Sequence, residues 1–430
     1  MLGIPQTWVS LDSVPWGEAP TGRTPGLPPD SLKAGLLNNC VVCQQETVKV
    51  VLNQTGPGQA FLVASPRWGA DAALAARAAY GEIGRVLQEQ GLTIVHERLF
   101  GSLAVKPAVL AARDAAFCAG DIPVDGPITY IQGQPPWGEG LAGVIIRAVS
   151  CRQPQDKVWT IRDQGRGVGR GWRQGDATFL VLQNLQGLAP NGNGANAPPH
   201  QARRLIQRAA HLLEAQGASY RDVVRTWFYL SNILSWYLEF NQARSAEYRE
   251  LGLMPTNGGG SRRLPASTGI GGEVFPGAAG ALDLLAVVGP PESRPSLKQL
   301  SSPAQPDALT YGSAFSRGAL IRQPDVNLIQ VSGTAAIDEQ GVSLYPGDVR
   351  AQIECTFHKI AALIEPEGAT LDDITAACVF IKRPEDAQVY YELAAAHGLK
   401  NLPAVLMVAD VCRPELLFEM DAEVAFNLPA

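Results

Sequence analysis

Apolar residues recur along the chain with two periods, and the order in which those periods alternate is repeated. The last stretch, Val408 to Phe426 (VADVCRPELLFEMDAEVAF), has period two: Leu417, Glu419, Asp421 and Glu423 fall on one face, and Phe418, Met420, Ala422 and Val424 on the other. This predicts a strand with one face in a core and a row of carboxylates opposite. Such a row is commonly wet. A glutamate flanked by Leu416, Leu417 and Phe418 also has the surroundings that raise a carboxyl pKa and keep it protonated near neutral pH. Upstream, NLIQVSGTAAID predicts a strand. VRAQIECTFHKIAALIEPEG predicts a helix whose Val349, Ile353, Phe357, Ile360 and Ile364 form one apolar stripe for a sheet. DDITAACVFIKRPED, AQVYYELAAAHGL and LPAVLMVADV continue as strand, helix and strand.

That order occurs twice before. FLVLQNLQGLAP, RRLIQRAAHLLEAQG, DVVRTWFYLSNI, SWYLEFNQARSAEYRELG, LPASTGIGG and ALDLLAVVG make a second copy. TVKVVLN with QAFLVAS, a helix around 70 to 90, TIVHERLFGS, a helix around 107 to 118 and ITYIQGQPPWGEGLAGVIIRAVS make a more diverged first. The copies share local anchors: LQEQG (87–91) with LEAQG (213–217), GASYRDV (217–223) with GATLDDI (368–374), and LPAS (264–267) with LPAV (402–405). The chain thus reads as three ββαβαβ units of roughly 120 residues. Each is an α+β layer of helices on one face of a small sheet, leaving the other face for its neighbours to bury. The boundaries fall at an N-terminal arm (1–45), a first unit (46–150), a second (151–290), a Pro- and Ser-rich linker (291–306) and a third unit (307–430).

Composition narrows the function classes. A net charge of −6 with no polybasic block argues against nucleic acid or an anionic membrane surface as partner. No apolar run reaches membrane-spanning length and the first thirty residues lack a signal-peptide pattern, so a cytoplasmic protein is expected. Seven scattered cysteines do not make a disulfide framework, and the Cys40–Cys43 CxxC has no second pair at zinc spacing. No metal or cofactor is assigned. The five histidines share no spacing, and the Gly-rich runs GRGVGRG (165–171) and NGGG (257–260) lack the Lys and the strand-to-helix context of a phosphate loop and read as loops.

The third copy resembles the RidA (chorismate-mutase-like) family in VSGTAAIDEQG (331–341) and LLFEMDAEVAF (416–426). That family is trimeric with ligand sites between subunits, so the resemblance implies tandem RidA-like units forming an intrachain pseudo-trimer, a monomer that supplies its own interfaces. The arginine that RidA proteins place after the Pro-Ala of the penultimate strand falls at Val405, which speaks against imine deamination. A broader resemblance, from about residue 127 to 428, is to the chorismatase family. It rests on ITYIQGQPPWGEGLAG, VVRTWFYLSNILSWYLEFNQAR, LPASTGIGG, YGSAFSRG, VSGTAAIDEQG and DVCRPELLFE in that order.

This second resemblance implies an enzyme that protonates the enolpyruvyl methylene of chorismate and releases pyruvate. Glu419 takes the place of the catalytic acid; the second copy has Ala281 at the corresponding position. Two substrate carboxylates call for arginines. Arg317 in AFSRG is the first candidate, and Arg225 in VVRTW the second, although an Arg on a face with Trp227 and Tyr229 is equally a packing device. Ser267 and Tyr311 are candidate lining residues of a cleft between copies two and three; Arg413 and Lys382 are held in reserve as surface residues. Gly318 and Cys412 match the members that form 3-hydroxybenzoate, where the hydrolytic members have alanines. The expected reaction is chorismate to 3-hydroxybenzoate and pyruvate. Hydrolysis to 3,4-dihydroxycyclohexa-1,5-diene carboxylate and lysis to 4-hydroxybenzoate are the alternatives within the family, and a non-catalytic small-molecule binder is the alternative outside it.

Overall fold

A computed structural model describes residues 38–55, 58–150, 157–188, 197–254, 262–274, 276–289, 297–323 and 325–427. Unit one comprises β1 (Asn38–Gln44), β2 (Val48–Thr55), β3 (Gln59–Pro66), α1 (Ala72–Gln90), β4 (Leu92–Gly101), α2 (Lys106–Ala119), β5 (Thr129–Gln132) and β6 (Leu141–Ser150). Unit two comprises β7 (Trp159–Asp163), β8 (Arg166–Gln174), β9 (Ala177–Gln186), α3 (Pro198–Glu214), β10 (Val223–Leu230), α4 (Tyr237–Glu250), β11 (Ala266–Gly271) and β12 (Gly280–Val288). Unit three comprises β13 (Leu297–Leu300), β14 (Gly318–Arg322), β15 (Asn327–Ala335), α5 (Val349–Ile364), β16 (Ile374–Ile381), α6 (Ala387–Ala396), β17 (Ala404–Val408) and β18 (Phe418–Phe426).

Each unit is a six-stranded sheet with the same strand order, β1-β2-β3-β6-β4-β5 in the first and its counterpart in the others. The likeness extends to defects. The strand after each first helix carries a bulge at one equivalent place, between Ile94 and His96, Val223 and Arg225, and Ile374 and Ala376. The turns at Ser219–Asp222 and Thr370–Asp373 are the same capping box, as the anchors GASYRDV and GATLDDI suggest.

Three expectations need correction. Each sheet has six strands where ββαβαβ predicts four, and the stretch read as a linker supplies one of the additional strands, β13, paired to β14. Within the expected arm, residues 1–37 lie outside the described residues and 38–44 form β1. The run GRGVGRG is not a loop but the body of β8. Glycine disfavours strands in general; here a Cβ on Gly169 would run into the Val181 backbone, and one on Gly171 into the Trp159 ring, so close approach requires it. The run NGGG lies outside the described residues.

The inner faces of the three sheets share one core, in which Phe61 and Ile145 of unit one meet Trp172 and Trp227 of unit two and Phe380 and Val405 of unit three. Each unit's helices pack on its own outer face; in unit three the stripe Val349, Ile353, Phe357, Ile360 and Ile364 lies on the sheet as its periodicity predicts. The fold is an intrachain pseudo-trimer of α+β units. At its centre a buried polar contact crosses every seam: a hydrogen bond between His96 and Asp283 (3.0 Å) joins units one and two, and ion pairs join Arg225 to Asp421 (2.9 Å) between two and three and Arg98 to Glu423 (3.1 Å) between one and three. Removing one member of such a pair typically costs about 3–5 kcal/mol because the other charge stays buried. Among the described residues, no helix is long and apolar enough to cross a membrane.

Candidate active site

β18 divides its side chains as period two requires. Phe418, Met420, Ala422 and Val424 join the helix-facing core, while Glu419, Asp421 and Glu423 turn to the seams. The row is dry, at 4, 3 and 5% exposure. Leu417 departs from the expected face: it precedes the strand and packs with the helix-side cluster.

Glu419 borders a small cavity, about 50 Å³, between units two and three. Its partner on β15 is Ala335, next to a bulge between Val331 and Thr334 that holds Gly333 against the glutamate. A Cβ at Gly333 would overlap the Glu419 carboxylate oxygen and press on Thr268 Cγ2 (3.2 Å), so the Ser-Gly pair is what makes room for the acid. Ser332 fastens the bulge to unit two: its Oγ accepts from the Ser267 N–H (2.8 Å) and donates to the Ser316 carbonyl (2.6 Å).

Burial pushes the Glu419 carboxyl up to about 8, with the Asp421 charge two residues along the same face as the second cause; Arg225 and Arg317 pull it down without cancelling this. The acid is therefore protonated at neutral pH. Asp421 is itself held by a determined hydrogen-bond arrangement. Thr268 Oγ1 accepts from Arg225 Nη2 (2.6 Å) and the Gly333 N–H (3.1 Å), so its own proton goes to Asp421 Oδ2 (2.7 Å). Asp421→Asn is expected to remove the repelling charge and leave Arg225 unopposed. Both effects lower the Glu419 pKa, so the alkaline limb of the activity profile moves to lower pH, and the melting temperature falls; a pH–rate profile with a thermal melt checks both.

Across the cavity stand three guanidinium groups. Arg317 donates Nε to the Pro306 carbonyl (2.9 Å) and lies over the Tyr311 and Phe315 rings, while its Nη2 is buried with no hydrogen-bond partner. Arg244, on α4, donates to Asn241 (2.6 Å) and Ser267 Oγ (3.4 Å) among Phe228, Phe240 and Phe315. Arg413 donates to the Gly341 carbonyl and covers Tyr311. Among the described residues none of the three is paired with a carboxylate, which leaves the cavity wall positive and suited to an anion. Cys412 completes the wall, its thiol pushed up to about 12 by burial and the Glu419 charge and hydrogen-bonded to Tyr237.

A family model described as Endoribonuclease L-PSP matches residues 308–426. A chorismatase of Streptomyces hygroscopicus is 27% identical over 301 residues, covering 63% of this chain and 79% of that protein. A chorismatase of Streptomyces rapamycinicus is 26% identical over 227 residues, covering 48% and 65%. A solved chorismatase structure superposes with a TM-score of 0.56 at 20% identity, over 77% of this chain and 93% of that one. The chain is thus similar to chorismatases over most of its length, and to the L-PSP family model over its third unit.

In this chorismatase-like chain the cleft gathers Glu419, Arg317, Tyr311, Ser267 and Cys412 from the residues singled out in the sequence, and brings Arg413 in from reserve. Lys382 stays outside, near Asp410 (3.4 Å). Two expectations are corrected. Arg225 is not on the cavity wall: at 1% exposure it is spent on Asp421 and Thr268 and stacked on Trp227, so packing was the right alternative. Gly318 faces away as well; a Cβ there would meet Leu363 and Leu300 on the helix side. Arg244 and Tyr237 were missed. Val405 is fully buried and packs against Gly143 in the seam between units three and one, and β6 and β12 place Gly143 and Ala281 where β18 has Glu419. The acid thus stands at one of three equivalent positions.

Proposed function

We propose that this chain converts chorismate to 3-hydroxybenzoate and pyruvate, with Glu419 as the general acid. The observation that carries the reading is a buried, protonated carboxyl facing three guanidinium groups that have no carboxylate partner, in one seam of three. Chorismate offers two carboxylates to such a wall. Arg317 and Arg244 present buried donors from opposite sides of the seam, and Arg413 a third at the rim. Delivering the Glu419 proton to the enolpyruvyl methylene turns it into a methyl group and leaves an oxocarbenium ion, which the remaining Glu419 carboxylate stabilises beside the guanidinium groups.

Capture of that cation by the ring's own 4-hydroxyl, followed by loss of pyruvate and aromatisation, gives 3-hydroxybenzoate with no water consumed. Capture by water gives pyruvate and the dihydrodiol. The cavity in its present form accommodates only waters, so the substrate enters with outward movement of the wall. Cys412 supports the intramolecular course, since its thiol and the Tyr237 hydroxyl occupy wall space beside Glu419. Gly318, facing the helices, contributes only through the backbone of β14.

The test is chromatography of products after incubation with chorismate. Equal amounts of pyruvate and 3-hydroxybenzoate are expected; the dihydrodiol or 4-hydroxybenzoate would reassign the product, and absence of pyruvate would leave a binding protein. Cys412→Ala is expected to raise the dihydrodiol share, whereas Gly318→Ala alone leaves the ratio near its starting value; both shares come from the same chromatogram.

A further inference from the structure

A second hollow, a groove of about 540 Å³, runs along the seam between units two and three away from Glu419. Its floor is apolar, made by Val223, Val224 and Leu264 of unit two with Leu297 and Ala319 of unit three. Its rim carries five cationic side chains, Arg221, Arg262 and Arg263 from one unit and Lys298 and Arg322 from the other, and among the described residues no carboxylate lines it. In a chain of net charge −6 this concentration of positive charge stands out.

Four of the rim cations are positioned by partners outside the groove lining. Glu367 takes both Lys298 (2.6 Å) and Arg322 (3.3 Å), Asp307 takes Arg262, and Arg221 donates to the Gly252 carbonyl. Lys298 and Arg322 are about half exposed while Glu367 is 8% exposed, so Glu367 anchors the two cations, and with three and five donors respectively they keep donors for a ligand carboxylate that adds to this pairing and does not replace it. The volume lies within the range of small-molecule pockets, about 300–1,000 Å³.

We propose that this groove is a second ligand site, for an aromatic carboxylate whose ring lies on the valine and leucine floor and whose charge is held by the Lys298–Arg322 side of the rim. A bare inorganic anion would use the rim alone and forgo the floor. The assignment does not depend on the chemistry at Glu419. The strand after Arg262 does connect the two places, since Leu264 floors the groove and Ser267 lines the cleft.

The experiment is isothermal titration of 2-naphthoate into the full chain, repeated with inorganic phosphate. Three variants are compared with the wild type: Lys298→Ser with Arg322→Ser, the charge-preserving Lys298→Arg with Arg322→Lys, and Arg317→Ser as a control for binding in the cleft. Saturable naphthoate binding is expected, weakened about tenfold or more by the double serine variant. The charge-preserving pair and Arg317→Ser leave it within about twofold, and phosphate binds at least about tenfold more weakly. The proposal is overturned if naphthoate does not bind, if the loss follows Arg317→Ser instead of the rim variant, or if phosphate binds as tightly as naphthoate.

Discussion

Glu419→Gln is expected to lower kcat on chorismate by about 1,000-fold, a general-acid loss, while the protein becomes more stable at alkaline pH. Glutamine keeps the shape and buries the same surface but has no proton of suitable acidity to give to carbon. The stability effect follows from the same displacement. In the folded chain the carboxyl holds its proton up to about pH 8, whereas in the unfolded chain it releases it near 4.5. Between those values the folded state binds a proton that the unfolded state does not, so wild-type stability falls as pH rises from about 4.5 to about 8. At about 1.4 kcal/mol per unit, the total is on the order of 5 kcal/mol. The glutamine variant escapes this loss. Its melting temperature should exceed that of wild type at pH above 8 and approach it below pH 4.5; turnover assays and melts across that range check both halves. A variant that keeps most of its turnover would move the acid to another residue.

The second large effect is expected from a single methyl group placed beside Glu419. Gly333→Ala places a Cβ where the Glu419 carboxylate now lies, with Thr268 close behind. The glutamate end is flexible and can move aside, so the chain still folds. The proton it carries then no longer lies along the path to the substrate, and misplacement by about 1 Å can cost on the order of 100-fold. kcat should therefore drop by about 100-fold or more, with KM changed little because Arg244, Arg317 and Arg413 stay in place. An equal fall in substrate affinity would show that the substitution disturbs the arginine wall instead.

Most of the scaffold was legible because its signals are local. Period-two strands, the helix stripe of α5 and the Gly-Ala-Ser/Thr turns are written in adjacent residues, and the repeat multiplied each signal by three. The additional strands were not, since β8 is built on glycines forced by the Trp159 ring and the Val181 backbone, and β13 is four residues within a polar stretch.

The site followed the same division. Glu419 could be found from its singularity among the repeats, and Ser267, Tyr311, Arg317 and Cys412 from short motifs. Arg244 closes one of those motifs, at the end of FNQAR, but a helical arginine among polar neighbours reads as a solvated face. Its burial depends on Phe315, more than seventy residues away, and no periodicity in α4 announces that contact. Arg225 failed in the opposite direction: its carboxylate, Asp421, stands 196 residues later, so a buried ion pair looked like an unclaimed charge. Gly318 was misplaced because its motif gives the sequence neighbour of Arg317 but not the face of β14 on which it lies.

The account depends on the protonation of one side chain, and that can be observed without substrate. In protein labelled at the glutamate side-chain carboxyl carbons, a carbon-detected NMR titration should contain one resonance that titrates near pH 8 and disappears in Glu419→Gln. If every glutamate resonance titrates in the ordinary carboxylate range, Glu419 is ionised at neutral pH and cannot be the proton donor.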